Sequence, residues 1–71
     1  MRATVQIDPN VRVHGNGTFA GFEDVTGQVA IGDTVNVIES ESGLTGAGRV
    51  TDVDAAARLV YLSVDWARLA D

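Results

Sequence analysis

The chain has 71 residues, of which 45% are apolar and none is cysteine. This length permits one domain with a marginal core, and the absence of cysteine excludes disulfides and thiolate metal sites. The net charge of −5, from ten acids and five bases, favours solubility and opposes non-specific binding to nucleic acids. No apolar run approaches the roughly 20 residues that span a bilayer.

The N-terminus lacks the continuous apolar segment of a signal peptide. We therefore expect a protein of the cytoplasm, or one incorporated into a phage particle. All five basic residues are arginine and none is lysine. This usage is typical of GC-rich genomes, such as those of actinobacteria and their phages.

The N-terminal half predicts short strands separated by turns. Thr4–Ile7 alternates, with Val5 and Ile7 on one face. Asp8-Pro9-Asn10 predicts a turn, and Val11-Arg12-Val13 alternates again. The remaining predicted segments are a loop at His14–Gly17, a strand at Thr18–Phe22, and an apolar, β-branched segment at Gln28–Ile31 that Gly32-Asp33 ends.

The middle of the chain predicts one clear strand at Thr34–Glu39, with Val35 and Val37 facing inward. Ser40–Gly43 has the composition of a turn. The glycines in Thr45–Gly48 indicate a flexible segment that leads into a strand over Arg49–Val53.

The stretch from Val50 to Trp66, VTDVDAAARLVYLSVDW, predicts two strands and a connection. Leu59–Trp66 alternates over eight residues, with Val60, Leu62, Val64 and Trp66 on one face and Leu59 and Tyr61 on the other. Val50 and Val53 are out of phase, which indicates a bulge. The five residues Asp54–Arg58 are too few for an independent helix, so they predict a hairpin connection in which Asp54 caps a single turn. The last predicted element along the chain is a single helical turn at Trp66–Leu69.

These elements predict an all-β fold, a small barrel of five or six short, mostly antiparallel strands in one domain over residues 1–71. Closure into a barrel would remove exposed strand edges.

Residues 31–66, IGDTVNVIESESGLTGAGRVTDVDAAARLVYLSVDW, resemble SH3-like small barrels of the KOW and Tudor kind. The matching positions are Gly32, Asp33, Val35 and Val37, then Gly48, Val50, Val53 and Asp54, then Val60, Leu62 and Val64. The resemblance implies a domain that binds proteins, peptides, RNA or DNA, or that has a structural role in a ribosome or phage particle. Such barrels continue into a fifth strand after this pattern, so Thr4–Ile7 is expected to supply the closing strand.

The sequence predicts no catalytic set, no cofactor and no metal site. His14, the single histidine, lies in a glycine-rich loop, and no nucleophile-elbow pattern accompanies Ser40, Ser42 or Ser63. Asp52-Val53-Asp54 resembles the start of a calcium loop but lacks the required glycine and glutamate. The glycines from Gly43 to Gly48 lack the Lys-Ser/Thr tail of a phosphate-binding loop.

A contact surface is the functional feature that the sequence favours. Leu59 and Tyr61 lie on the strand face expected to be wet, and either Phe19 or Phe22 must also point outward. Arg49 and Arg58 are expected to set the orientation of a partner. The alternative is that the long segment 8–34 folds over these side chains and covers them.

We therefore predict a non-enzymatic protein-interaction module or assembly subunit, with self-association as one form of the contact. An alternative is a nucleic-acid- or ribosome-associated barrel that uses Arg49, Arg58, Arg68 and Tyr61. A third alternative is an acidic mimic of nucleic acid, which requires Glu23, Asp24, Asp33, Glu39 and Glu41 to cluster on one side.

Overall fold

A computed structural model describes residues 2–8, 10–11 and 15–70. Within these residues, six strands form a single curled sheet, a half-barrel, which confirms the predicted all-β class. The strands are β1 (Thr4–Ile7), β2 (Gly17–Gly21), β3 (Val25–Thr26), β4 (Thr34–Glu39), β5 (Thr45–Asp54) and β6 (Leu59–Val64). The predictions made for Pro9, Arg12, Val13 and His14 lie outside the described residues.

The strand order in the sheet is β2-β6-β5-β4-β1-β3. Strands β4, β5 and β6 form an antiparallel meander, and β2 pairs antiparallel with β6. Strand β1 pairs in parallel with β4 through Thr4↔Asn36 to Ile7↔Glu39, and antiparallel with β3. No ladder in the described part of the chain joins β1 to β2, so β1 extends the sheet beyond β4 and the barrel stays half closed.

The core lies on the concave face of the sheet. The buried apolar side chains alternate along the strands as their period of two requires, and they include Val5 and Ile7, Val35 and Val37, and Val60, Leu62 and Val64. Val35 and Val37 were predicted to face inward, and Val5 and Ile7, like Val60, Leu62 and Val64, were predicted to share one strand face. Thr18 is buried among them, and its hydroxyl donates to the carbonyl oxygen of Val11 at 2.5 Å.

The phase change between Val50 and Val53 is a β-bulge. Val50 pairs with Leu62, whereas Asp52 pairs with Tyr61, so Thr51 is the extra residue on β5. This insertion returns Val53 to the concave face, where it pairs with Val60. The bulge predicted from the valine spacing is therefore confirmed.

The connection between β5 and β6 is the predicted hairpin turn. A carboxylate oxygen of Asp54 accepts the backbone N–H of Ala57 at 3.1 Å, as expected for a turn-forming aspartate. Arg58 completes the turn with a φ of 58°, the one described non-glycine residue at positive φ. Leu59 then begins β6.

The segment Thr45–Gly48 was predicted to be flexible, but it is the first part of strand β5. It pairs with β4 from Ile38↔Thr45 to Val35↔Gly48. Gly48 is buried, and a Cβ atom there would lie 3.1 Å from the carbonyl oxygen of Ser63 and 3.2 Å from a methyl of Val37. The absence of a side chain at Gly48 therefore allows β5 and β6 to pack closely over the core.

One further prediction for the N-terminal half, the end of the strand at Phe22, needs correction. Strand β2 ends at Gly21, because Phe22 begins a 3-10 turn that runs to Asp24. The apolar segment 28–31 forms no strand, and Ile31 is 64% exposed. The short β3, Val25–Thr26, pairs with β1 instead.

The C-terminal residues cover one end of the half-barrel. Trp66–Arg68 forms a 3-10 turn, close to the predicted helical turn, and Trp66 is half-buried against the core. Its indole N–H donates to the carbonyl oxygen of Asn16 at 3.1 Å. Ala70 pairs with Thr45 through two backbone hydrogen bonds of 2.8 and 2.9 Å. Among the described residues, no helix is long and apolar enough to cross a membrane.

Strand β5 has an unpaired edge near its C-terminal end. Strand β4 pairs only with Thr45 to Arg49, and Val50 exchanges backbone hydrogen bonds with Gly32 and Asp33. The following residues have no strand on that side in the described part of the chain. There, a carboxylate oxygen of Asp52 accepts the backbone N–H of Val53 at 2.8 Å.

Candidate functional site

Two aromatic rings meet on the convex face of the sheet. Phe19 on β2 lies opposite Tyr61 on β6, with ring centroids 5.9 Å apart and planes inclined at 55°. Val64 donates to Asn16 and Phe22 donates to Arg58 across the same strand pair. Because hydrogen-bonded pairs alternate in an antiparallel ladder, Phe19 and Tyr61 form a non-hydrogen-bonded pair, in which side chains lie closest.

Leu59 lies on the same face as Tyr61, two residues away on β6, and is half-buried like both rings. We call Phe19, Leu59 and Tyr61 the outer aromatic patch. The positions beside Phe19 on this face of β2 are Gly17 and Gly21. The ring therefore has no side-chain neighbour along its own strand.

A shallow depression of about 260 Å³ borders the ring of Tyr61. Its lining residues include Asn16, Gly17, Thr51, Tyr61 and Ser63. The missing side chain at Gly17 and the short one at Ser63 leave this space, and the bulge places Thr51 along it. The depression offers an aromatic wall, hydroxyl groups and main-chain atoms.

Charged side chains border the patch along β5. Arg49 pairs with Ser63, Asp52 with Tyr61 and Asp54 with Leu59, so the order along the strand is one base followed by two acids. The ion pair in the described part of the chain joins Arg68 to Asp65 at 3.2 Å. Arg49, Asp52 and Asp54 therefore have no ion-pair partner there.

Phe22 and Arg58 do not join the outer aromatic patch. Phe22 is 38% exposed and lines a groove with Val53 and Val60, which belong to the concave side of the sheet. Arg58 is exposed in the hairpin turn, and its carbonyl oxygen accepts the N–H of Phe22 at 3.0 Å. Of the six predicted contact residues, Tyr61, Leu59, Phe19 and Arg49 therefore share one face.

The turn conformation at Arg58 leads to a stability prediction. A left-handed conformation costs a non-glycine residue about 1–2 kcal/mol, and a glycine at this position would avoid that cost. Glycine also loses more backbone entropy on folding, about 0.5–1 kcal/mol, which is less than the strain that it relieves. We expect Arg58→Gly to raise the free energy of unfolding by about 0.5–1 kcal/mol, measured by urea denaturation. An unchanged or lower stability would show that the guanidinium side chain makes a compensating contact. Arg49→Gly serves as the comparison, because glycine weakens a strand interior.

The other candidate sites receive no support from the described residues. No group of three or more histidine, cysteine or acidic side chains lies close enough to hold a metal ion there. Asp33 precedes β4 and Glu39 ends it. They lie at opposite ends of a strand of six residues, so the five acids of the proposed nucleic-acid mimic do not form one cluster.

Comparison with known proteins adds no family assignment. The chain matches no protein-family model, and searches of curated proteins and of solved structures found no significant match.

Proposed function

We propose that this chain is a non-enzymatic protein-interaction module that binds its partner through the outer aromatic patch. The supporting observation is the paired placement of Phe19 and Tyr61 on the convex face, beside a depression and three charged residues that have no ion-pair partner in the described part of the chain. Aromatic side chains are enriched at the centres of protein interfaces because each buries a large area with few rotatable bonds.

In this proposal, affinity comes from burying the rings of Phe19 and Tyr61 and the side chain of Leu59. The depression beside Tyr61 receives one side chain of the partner. Arg49 at one end of the border and Asp52 and Asp54 at the other give the surface a polarity, which selects the direction in which a partner lies across the sheet.

The proposal extends to the kind of barrel. The meander of β4, β5 and β6 contains the positions of the SH3-like pattern from Val35 to Val64, and Gly32 and Asp33 directly precede β4. Its hairpin turn and bulge fit a sheet that curls tightly over a small core. A relation to SH3-like barrels is compatible with binding of a protein or peptide.

The proposal predicts that Tyr61→Ala abolishes partner binding while the fold persists. The substitution removes the ring from the centre of the patch and costs about 0.5–1.5 kcal/mol of stability through the lost ring pair. The measurement is affinity capture from a lysate of the source organism, with identification of bound proteins by mass spectrometry. Circular dichroism and a thermal melt would establish that the variant is folded.

Asn36→Ala is the matched control, because Asn36 is exposed on β4, away from the patch. We expect it to retain every protein that the unaltered chain captures. Capture that vanishes on nuclease treatment would support the nucleic-acid alternative, and full capture by Tyr61→Ala would contradict the proposal. Light scattering over a concentration series would identify self-association, which Tyr61→Ala should then also remove.

A further inference from the structure

The outer aromatic patch is part of three rows of residues that cross β2, β6 and β5. Residues that pair directly in neighbouring antiparallel strands carry their side chains on the same face of the sheet. On the convex face, the rows are Phe19, Tyr61 and Asp52; Gly21, Leu59 and Asp54; and Gly17, Ser63 and Arg49. Asp52 and Asp54 therefore lie beside Tyr61 and Leu59, on the same face as the rings.

A third carboxylate reaches this face from the 3-10 turn that follows β2. Gly21 pairs with Leu59, so a side chain at this position would lie on the convex face. The carboxylate oxygens of Glu23 lie 2.5 and 2.6 Å from the place that a Cβ atom of Gly21 would occupy. The carboxylate of Glu23 therefore lies beside Leu59, on the side opposite to Asp54.

Negative charge dominates the end of the patch around Leu59. Strands lie about 4.8 Å apart and alternate residues about 6.7 Å apart, so the three carboxylates lie within roughly 10 Å of Leu59. None of them has an ion-pair partner in the described part of the chain. Arg49 lies two rows away, and Arg58 in the hairpin turn offsets one of the three charges. The potential over Leu59 and Tyr61 is therefore negative within a Debye length, about 8–10 Å.

Two of the carboxylates are held in place by the main chain. One oxygen of Asp52 accepts the backbone N–H of Val53 at 2.8 Å, and one oxygen of Asp54 accepts that of Ala57 at 3.1 Å. The second oxygen of each group accepts no hydrogen bond from the described part of the chain. Because these groups are already ordered, they lose little side-chain entropy when a partner donates to them.

We propose that the outer aromatic patch binds an arginine-bearing segment of its partner protein, an inference that rests on the proposed function. A guanidinium group stacks on aromatic rings and donates paired hydrogen bonds to carboxylates. In this arrangement an arginine of the segment lies against Tyr61 with its guanidinium directed toward Asp52. An apolar neighbour covers Leu59, and a second basic side chain faces Glu23.

Charge distinguishes this occupant from a second copy of the chain and from a nucleic acid. A symmetric dimer through the patch would bring together the three carboxylates and the one arginine of each copy. The carboxylates would be in excess on both sides, and like charges in contact oppose association. The phosphates of a nucleic acid would be repelled by the same carboxylates.

Three matched synthetic peptides with an N-terminal fluorescein test the proposal by fluorescence anisotropy. In the first, leucines alternate with arginines; in the second, lysines replace the arginines; in the third, glutamates replace them. We expect the arginine peptide to bind at least about tenfold more tightly than the glutamate peptide, a difference of roughly 1.4 kcal/mol. It should also bind more tightly than the lysine peptide, because an ammonium group lacks the planar fork of donors. Amide chemical shifts in ¹⁵N-labelled protein should then change at Phe19, Leu59 and Tyr61.

Two double variants separate the carboxylates of the patch from the overall acidity of the chain. Glu23→Gln combined with Asp52→Asn should weaken binding of the arginine peptide about three- to tenfold. The amide oxygen of asparagine can still accept the N–H of Val53, so the fold should persist. Glu39→Gln combined with Glu41→Gln makes the same charge change at the turn beyond β4 and should leave the affinity unchanged.

The outcomes separate this inference from the proposed function. Equal binding of the arginine and glutamate peptides, lost in Tyr61→Ala, would overturn the arginine-bearing partner and keep the patch as a binding surface. Equal weakening in the two double variants would overturn the inference, because it would show general attraction to an acidic protein. Equal binding of the arginine and lysine peptides would overturn the choice of arginine. Absence of binding, or shift changes confined to residues outside the patch, would also overturn the inference, whereas the lysate capture experiment would still test the proposed function.

Discussion

Leu62→Ala is expected to remove most of the folding stability of the protein. Leu62 is 1% exposed and lies at the centre of the sheet, paired with Thr18 on one side and Val50 on the other. Truncation of a buried leucine to alanine costs about 2–5 kcal/mol, through lost transfer energy and the cavity left behind. A domain of this size without disulfides or metals has a total stability of roughly 3–5 kcal/mol.

The comparison for this variant is Ile31→Ala. Ile31 is equally apolar but 64% exposed, so its truncation should change stability by less than about 0.5 kcal/mol. Urea denaturation followed by circular dichroism measures both variants. A Leu62→Ala protein as stable as Ile31→Ala would mean that the concave face is not the core.

Gly48→Val is the second substitution with a large expected effect. Strand propensity favours valine over glycine, yet a Cβ atom at this position meets the backbone of β6 and the side chain of Val37 at 3.1–3.2 Å. The Ser63 carbonyl is part of the β5–β6 pairing and has no room to move. We expect a loss of about 1–3 kcal/mol from overpacking, with a lower thermal midpoint as the readout.

Gly46→Ala provides the matched control two residues earlier on β5. A Cβ atom there meets the terminal methyl of Leu69, which belongs to a half-buried side chain beyond the last 3-10 turn. That methyl can rotate away, so the variant should lie within about 0.5 kcal/mol of the unaltered chain. If Gly48→Val lost no more stability than Gly46→Ala, β5 and β6 would not pack as closely at Gly48 as the structure indicates.

The parts of the fold that sequence could predict are those fixed by local pattern. Alternation located β4 and β6 and their buried faces, since one face of a half-barrel is apolar and the other is wet. The same alternation, broken between Val50 and Val53, located the bulge. Asp54 marked the hairpin turn because its carboxylate accepts a nearby backbone N–H.

Other features depend on tertiary contacts that local pattern does not contain. The four residues of β1 alternate identically whether they pair in parallel or antiparallel, so the pairing with β4 was not predictable. The glycines in Thr45–Gly48 lower the strand propensity of this segment, but its packing against Val37 and Leu69 outweighs that low propensity and makes it a strand. Val25–Thr26 is too short to give a periodic signal.

The candidate sites, too, were predicted only where local strand pattern determines them. Strand phase placed Leu59 and Tyr61 on the convex face, but it could not choose between Phe19 and Phe22, because the choice depends on where β2 ends. The groove lined by Phe22, Val53 and Val60 was not predicted from the sequence. It arises where the 3-10 turn of Phe22 and the residues after β3 approach Val53 and Val60, segments about thirty residues apart.

The hydrogen bond from Val53 to the side chain of Asp52 has a consequence for the chain in a crowded solution. An open strand edge beside apolar residues is a template on which a second chain could add a strand and begin aggregation. The backbone donor at this open edge of β5 is the N–H of Val53, and it already donates to the carboxylate of Asp52. That carboxylate also lies where an added strand would have to pair. An added strand would have to displace this contact and desolvate the charge. This part of the β5 edge is therefore protected against strand addition by its own aspartate.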